Sequence, residues 1–178
     1  LTQNESSLFQ QKLSINLNGL LMDFSTAKLM GILNLTPDSF YDGGKLNSEK
    51  EILSQAEQMI LEGADILDLG AFSSRPGADL LTEKEELKRL VPALKAIKKE
   101  FPEIAISVDT YRSSVAFQSF ELGANIINDI SGGNFDQKMF EVISKNRIPY
   151  VLMHMQGTPK TMQKQPSYTH VIKEIYSH

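Results

Sequence analysis

Residues 30–44 read MGILNLTPDSFYDGG. The first half is an apolar run of strand length; it passes through Asn34 into a stretch holding Pro37, Asp38, Asp42 and Gly43-Gly44. A short run that is apolar throughout suits a parallel strand covered on both faces. Polar residues at its C-terminal end lie where parallel α/β folds bind ligands. The pattern recurs at residues 64–70 (ADILDLG), 104–110 (IAISVDT), 124–130 (ANIINDI) and 148–154 (IPYVLMH). These runs carry Asp68, Asp109-Thr110, Asn128-Asp129 and His154 toward their ends.

The stretches between the runs have helical spacing. Ser48 and Glu51 form a capping-box pattern ahead of Ile52, Leu53, Ala56, Met59 and Ile60, and Gly63 is placed to stop that helix. Thr82 and Glu85 repeat the pattern ahead of Leu87, Leu90, Leu94 and Ile97, with Pro92 expected to kink or split the helix. Residues 113–122 and 137–145 are shorter helix candidates. Five β-then-α units in series predict a parallel α/β fold. Neither GxGxxG nor GxxxxGK[ST] occurs, so a barrel is expected rather than a nucleotide-binding doubly wound sheet. Upstream, residues 14–25 (SINLNGLLMDFS) alternate around Asn18-Gly19, a favoured hairpin turn. The expected organisation is an N-terminal segment with a hairpin over residues 1–27 and a barrel domain over residues 28–178.

Composition narrows the partners. The net charge of −4 over 178 residues gives no electrostatic reason to expect nucleic acid or an anionic membrane. The absence of cysteine excludes disulfides and thiolate metal sites, and no apolar run approaches the ~20 residues of a membrane span. The opening residues lack the pattern of a secretory signal, so a cytoplasmic enzyme or binding domain is expected.

Each polar residue also has a plain structural explanation. Asp109 fits a helix cap, Asn128 and Asp129 fit turn formers, His154 fits a packed group, and Arg75 fits a solvated charge. Their shared placement at one edge of the sheet argues instead for a polar-walled pocket.

Five segments, MGILNLTPDSFYDGG, DILDLGAFSSRPGA, ISVDTYRSSVA, NIINDISGG and VLMHMQGTPKTMQ, resemble in order the strand-end motifs of dihydropteroate synthase. The first of them is close to diagnostic. The resemblance implies a (β/α)₈ TIM barrel that condenses a dihydropterin pyrophosphate with p-aminobenzoate, releasing pyrophosphate, and that sulfonamides inhibit at the aminobenzoate site. It implies Mg²⁺ held near the pyrophosphate by Asn34, and pterin hydrogen bonds from Asp109 and Asn128. Ile130 and Met153 would line the ring, and Ser74 stands where the family usually has threonine. Asp42 and Arg75 would act from two closing loops, Asp42 stabilising the cation left when pyrophosphate departs, while Phe40 and Pro76 wall the aminobenzoate pocket. A cytoplasmic homodimer is the family expectation.

Two departures stand out. The second motif reads GAFSSRPG where the family commonly has GGESTRPG, with Ala71 and Phe72 replacing glycine and glutamate. A barrel of this type needs roughly 250 residues, and this chain supplies about five β/α units. The chain alone is therefore expected to be inactive. Two alternatives remain at this point: the pterin-binding barrel of a methyltetrahydrofolate:corrinoid methyltransferase, and a non-catalytic truncated product.

Overall fold

In the computed structural model, residues 13–35, 45–71, 81–158, 161–162 and 165–178 are described, residues 45–48 by their backbone alone. The expected hairpin forms from β1 (Ser14–Leu17) and β2 (Leu20–Asp23), paired antiparallel. Asn18 and Gly19 both take positive φ, 56° and 98°, so the tight turn matches the right-handed twist of its strands.

Five strands then build one parallel sheet: β3 (Met30–Asn34), β4 (Ile66–Gly70), β5 (Ala105–Asp109), β6 (Ile126–Asp129) and β7 (Tyr150–Leu152). Their spatial order follows the chain without reversal. A doubly wound sheet reverses at a switch point, whereas a barrel adds each strand on the same side. The sheet is a partial TIM barrel.

Helices α1 (Lys45–Leu61), α2 (Glu83–Glu100), α3 (Ser113–Glu121) and α4 (Met139–Asn146) alternate with the strands, and α5 (Val171–Ser177) closes the series. Thr82 caps α2 as expected, its side chain accepting from the Glu85 N–H. Two expectations are corrected. Helix α1 begins at Lys45, so Ser48 lies inside its first turn; S-x-x-E spacing fits the orphan N–H groups of that turn as well as a cap. Pro92 does not split α2, which runs unbroken from Glu83 to Glu100. The proline deprives the Lys88 carbonyl of its usual donor, but both residues face solvent, where water takes the donor's place.

Alternation along the strands sorts the core into two faces. Leu33, Leu67, Leu69, Ile106, Val108 and Ile127 point outward and pack under the helices with residues such as Leu94, Ile97 and Val115. On the inner face, Ile66, Ala105 and Ile126 form a second cluster with Leu17 and Met22 of the hairpin. The hairpin thus covers the N-terminal ends of the strands and leaves their C-terminal ends clear.

Asn125 ties the hairpin in place. Its side-chain amide accepts from the Ile106 N–H through Oδ1 and donates to the Leu17 carbonyl through Nδ2, both at 2.9 Å, from a buried position. Asn125→Ala leaves a buried donor and acceptor without partners, and should cost about 2–3 kcal/mol. Urea unfolding checks this; a loss below about 0.5 kcal/mol would show that the hairpin is held by its apolar contacts alone.

The inner face is open at its two edge strands. Ile32 is 64% exposed and Val151 42% exposed, and among the described residues no strand pairs with the outer edge of β3 or of β7.

Candidate functional site

The parallel register carries one row across four strands: Asn34 pairs with Gly70, Gly70 with Asp109, and Asp109 with Asn128. Paired residues in a parallel sheet point to the same face, so Asn34, Asp109 and Asn128 share the inner face at its C-terminal edge. Gly70 provides the space between them. A Cβ there would sit 3.7 Å from Asp109 Oδ2 and 3.8 Å from Asn34 Oδ1, so any longer side chain would crowd both.

Ile130 and Met153 continue the wall, both half-buried just past the ends of β6 and β7. Gly132 lets those two ends approach each other. Its φ is +58°, and a Cβ would lie 2.6 Å from the Met153 carbonyl.

Asp109 is not the cap of α3. The Ser113 N–H is taken by Asp136 Oδ2 at 2.7 Å, and Asp109 Oδ1 is buried with no hydrogen-bond partner among the described residues. Burial, and after it the nearby carboxylates of Asp68, Glu86 and Asp129, push the Asp109 carboxyl up to about 7. A desolvated, under-satisfied carboxyl at the mouth of a cavity has the properties of a ligand-binding group.

Asp129 has the structural role its turn chemistry suggests. It accepts from Ser131 N and Oγ, Gly133 N and the Tyr150 hydroxyl at 2.6–2.9 Å, and so shapes the turn after β6. His154 packs against Tyr168 and His178, with both ring nitrogens buried and unpartnered among the described residues.

Beneath the row lies a charged network. Glu86 of α2 is fully buried, accepts from Thr110 Oγ1 at 2.7 Å and pairs with the Arg112 guanidinium. Arg112 also donates to the Leu81 carbonyl, and Arg89 donates to the Ala71 carbonyl. Two arginines therefore hold the residues that flank positions 72–80. Phe40, Asp42, Ser74, Arg75 and Pro76 lie outside the described residues.

Sequence reasoning left Asp68, Ser107 and Glu86 out of the candidate set. Asp68 and Ser107 are buried one inner-face step below the row, in register with each other. The available signal was period two: each sits two residues before a position in the row. For a metal, the described residues contain no cluster of three histidines or carboxylates. Asn34 is exposed at the edge of the mouth, and one amide oxygen there suits Mg²⁺, which keeps water and phosphate oxygens as most of its ligands. Among the described residues no helix is long and apolar enough to cross a membrane.

Known proteins resemble this chain along most of its length. A family model described as pterin binding enzyme matches residues 30–178. The mitochondrial folate synthesis bifunctional protein of Pisum sativum is 52% identical over 166 residues, which is 90% of this chain and 32% of that protein. Among solved structures, a Yersinia pestis dihydropteroate synthase in a sulfonamide drug complex matches with a TM-score of 0.80 and 41% identity, over 92% of this chain and 59% of that one. A Xanthomonas albilineans dihydropteroate synthase with 4-aminobenzoic acid matches with a TM-score of 0.78 and 31% identity, over 93% and 57%. The chain thus spans about a third of the pea protein and somewhat over half of the two solved chains.

Proposed function

The chain belongs to the pterin-binding enzymes, and from that premise we propose that it supplies the N-terminal β/α units of a dihydropteroate synthase. The observation that carries this is the row of Asn34, Asp109 and Asn128 around the space over Gly70. A pterin is flat and presents N–H donors at fixed angles, which a carboxylate and an amide on rigid strand ends complement. The synthase relatives favour this over corrinoid-dependent methyl transfer.

In the proposed reaction, the C–O bond between the dihydropterin CH₂ group and pyrophosphate breaks first, and the p-aminobenzoate amine nitrogen then bonds to that carbon and gives up a proton. Asp109 and Asn128 bind the pterin edge, and Ile130 and Met153 line its face. Asn34 would hold Mg²⁺, which supplies charge neutralisation for the leaving diphosphate. Asp42 and Arg75 act on the reacting groups, with Ser74, Phe40 and Pro76 contacting substrate. Sulfonamides compete with p-aminobenzoate. Cytoplasmic placement and assembly as a homodimer belong to the same proposal, with the mitochondrial pea relative marking the alternative compartment.

The open edges of β3 and β7 point to later strands as a requirement for turnover. Pyrophosphate release by the chain alone should stay at the no-protein level, and should appear when a polypeptide carrying the later β/α units of a synthase is supplied. Release by the chain alone would refute that requirement. Methyl transfer to a corrinoid partner without any condensation would refute the synthase assignment.

A further inference from the structure

The Asn128 amide can face a guest with either its oxygen or its NH₂ group, and the two choices recognise different molecules. Asn128 Nδ2 donates to Asp68 Oδ2 at 3.0 Å. An ionised carboxylate has no donor of its own, so it holds the amide with NH₂ toward itself and Oδ1 turned away. Asp68 is 5% exposed, stands two residues before Gly70 on the same inner face, and keeps a second buried oxygen, Oδ1, without a partner among the described residues. With no side chain at Gly70, nothing on β4 separates Asp68 from the mouth.

We propose that Asp68 is a positioning residue that locks the Asn128 amide with its oxygen toward the guest, so that Asp109 and Asn128 together present an acceptor edge. Such an edge selects a ring carrying two adjacent N–H donors, the exocyclic amine and neighbouring ring N–H of a 2-amino-4-oxo pyrimidine. It disfavours the 2,4-dioxo analogue, which places a carbonyl where the amine stood. This selectivity rests on the pterin reading of the site, whereas the lock itself does not.

Two measurements test the proposal. In the ligand-free protein, the Asn128 side-chain NH₂ resonances should exchange with water at least about 10-fold more slowly than in Asp68→Ala, as expected for one lost part-buried hydrogen bond. Asp68→Asn keeps a hydrogen-bonding partner but adds a donor, so it can hold the Asn128 amide either way round and no longer fixes its orientation. Titration with 6-hydroxymethylpterin and 6-hydroxymethyllumazine should show a preference for the pterin of roughly 100-fold in the parent, falling to a few-fold in both Asp68→Asn and Asp68→Ala. Free-rate exchange in the parent would overturn the proposal even if Asp68→Ala does not fold. Retention of the parent's full pterin preference in Asp68→Asn would also overturn it, because position 68 would then not set the amide's orientation. Slow exchange in the parent with no binding of either ring would support the lock and sink the pterin reading alone.

Discussion

Asp109→Asn is expected to raise stability at alkaline pH while removing the site's affinity for pterins. The Asp109 carboxyl titrates near 3.8 in an unfolded chain and is pushed up to about 7 in the fold, by burial first and by Asp68, Glu86 and Asp129 after it. Between those values the folded form binds more protons than the unfolded one, so stability falls as pH rises from about 4 to 7. The cost of ionising the buried group is on the order of 2–4 kcal/mol above pH 7 and vanishes near pH 4. Asparagine is never ionised and avoids this cost. Thermal melts should therefore show a gain at pH 8 that shrinks toward zero at pH 4. Pterin affinity should fall roughly 10- to 100-fold, the effect of losing a charge-assisted hydrogen bond. Equal destabilisation at both pH values would mean that Asp109 holds the fold together and is not held ready for a guest.

The second large effect belongs to Glu86. Its carboxylate is fully buried and binds Thr110 Oγ1 and the Arg112 guanidinium. Glu86→Leu leaves a largely buried cation without its partner, which typically costs about 3–5 kcal/mol. Glu86→Gln keeps the hydrogen-bonding atoms and should cost less than half of that. Both changes also remove a negative charge that raises Asp109, so the Asp109 titration should move down in pH. Urea unfolding and NMR titration read the two effects separately. A Glu86→Leu loss under about 1 kcal/mol would show that the network is replaceable packing.

Much of this arrangement was legible in the residues. Apolar runs ending in polar residues located the five strands, because a strand covered on both faces has no reason to alternate. Asn18-Gly19 announced the hairpin turn because only such residues accept two successive positive φ values. Asn34, Asp109 and Asn128 were legible as strand ends, and the register places them in one row. What remained hidden depended on distance along the chain. Glu86 reads as one more charge on an amphipathic helix, and its partners lie 24 and 26 residues away. Asp68 was legible as a polar strand end, but not its partner, because Asn128 lies 60 residues on. Nothing in the sequence singled out the buried Asn125, which anchors a hairpin 108 residues earlier.

The most direct test of the account is to map a bound pterin onto the protein by NMR. On titration with 6-hydroxymethylpterin, the largest shift changes should fall at Asn34, Asp109, Asn128, Ile130 and Met153, with the hairpin residues Leu17 and Met22 unmoved. Changes centred on the hairpin end of the strands, or binding that leaves Asp109 and Asn128 unperturbed, would contradict it.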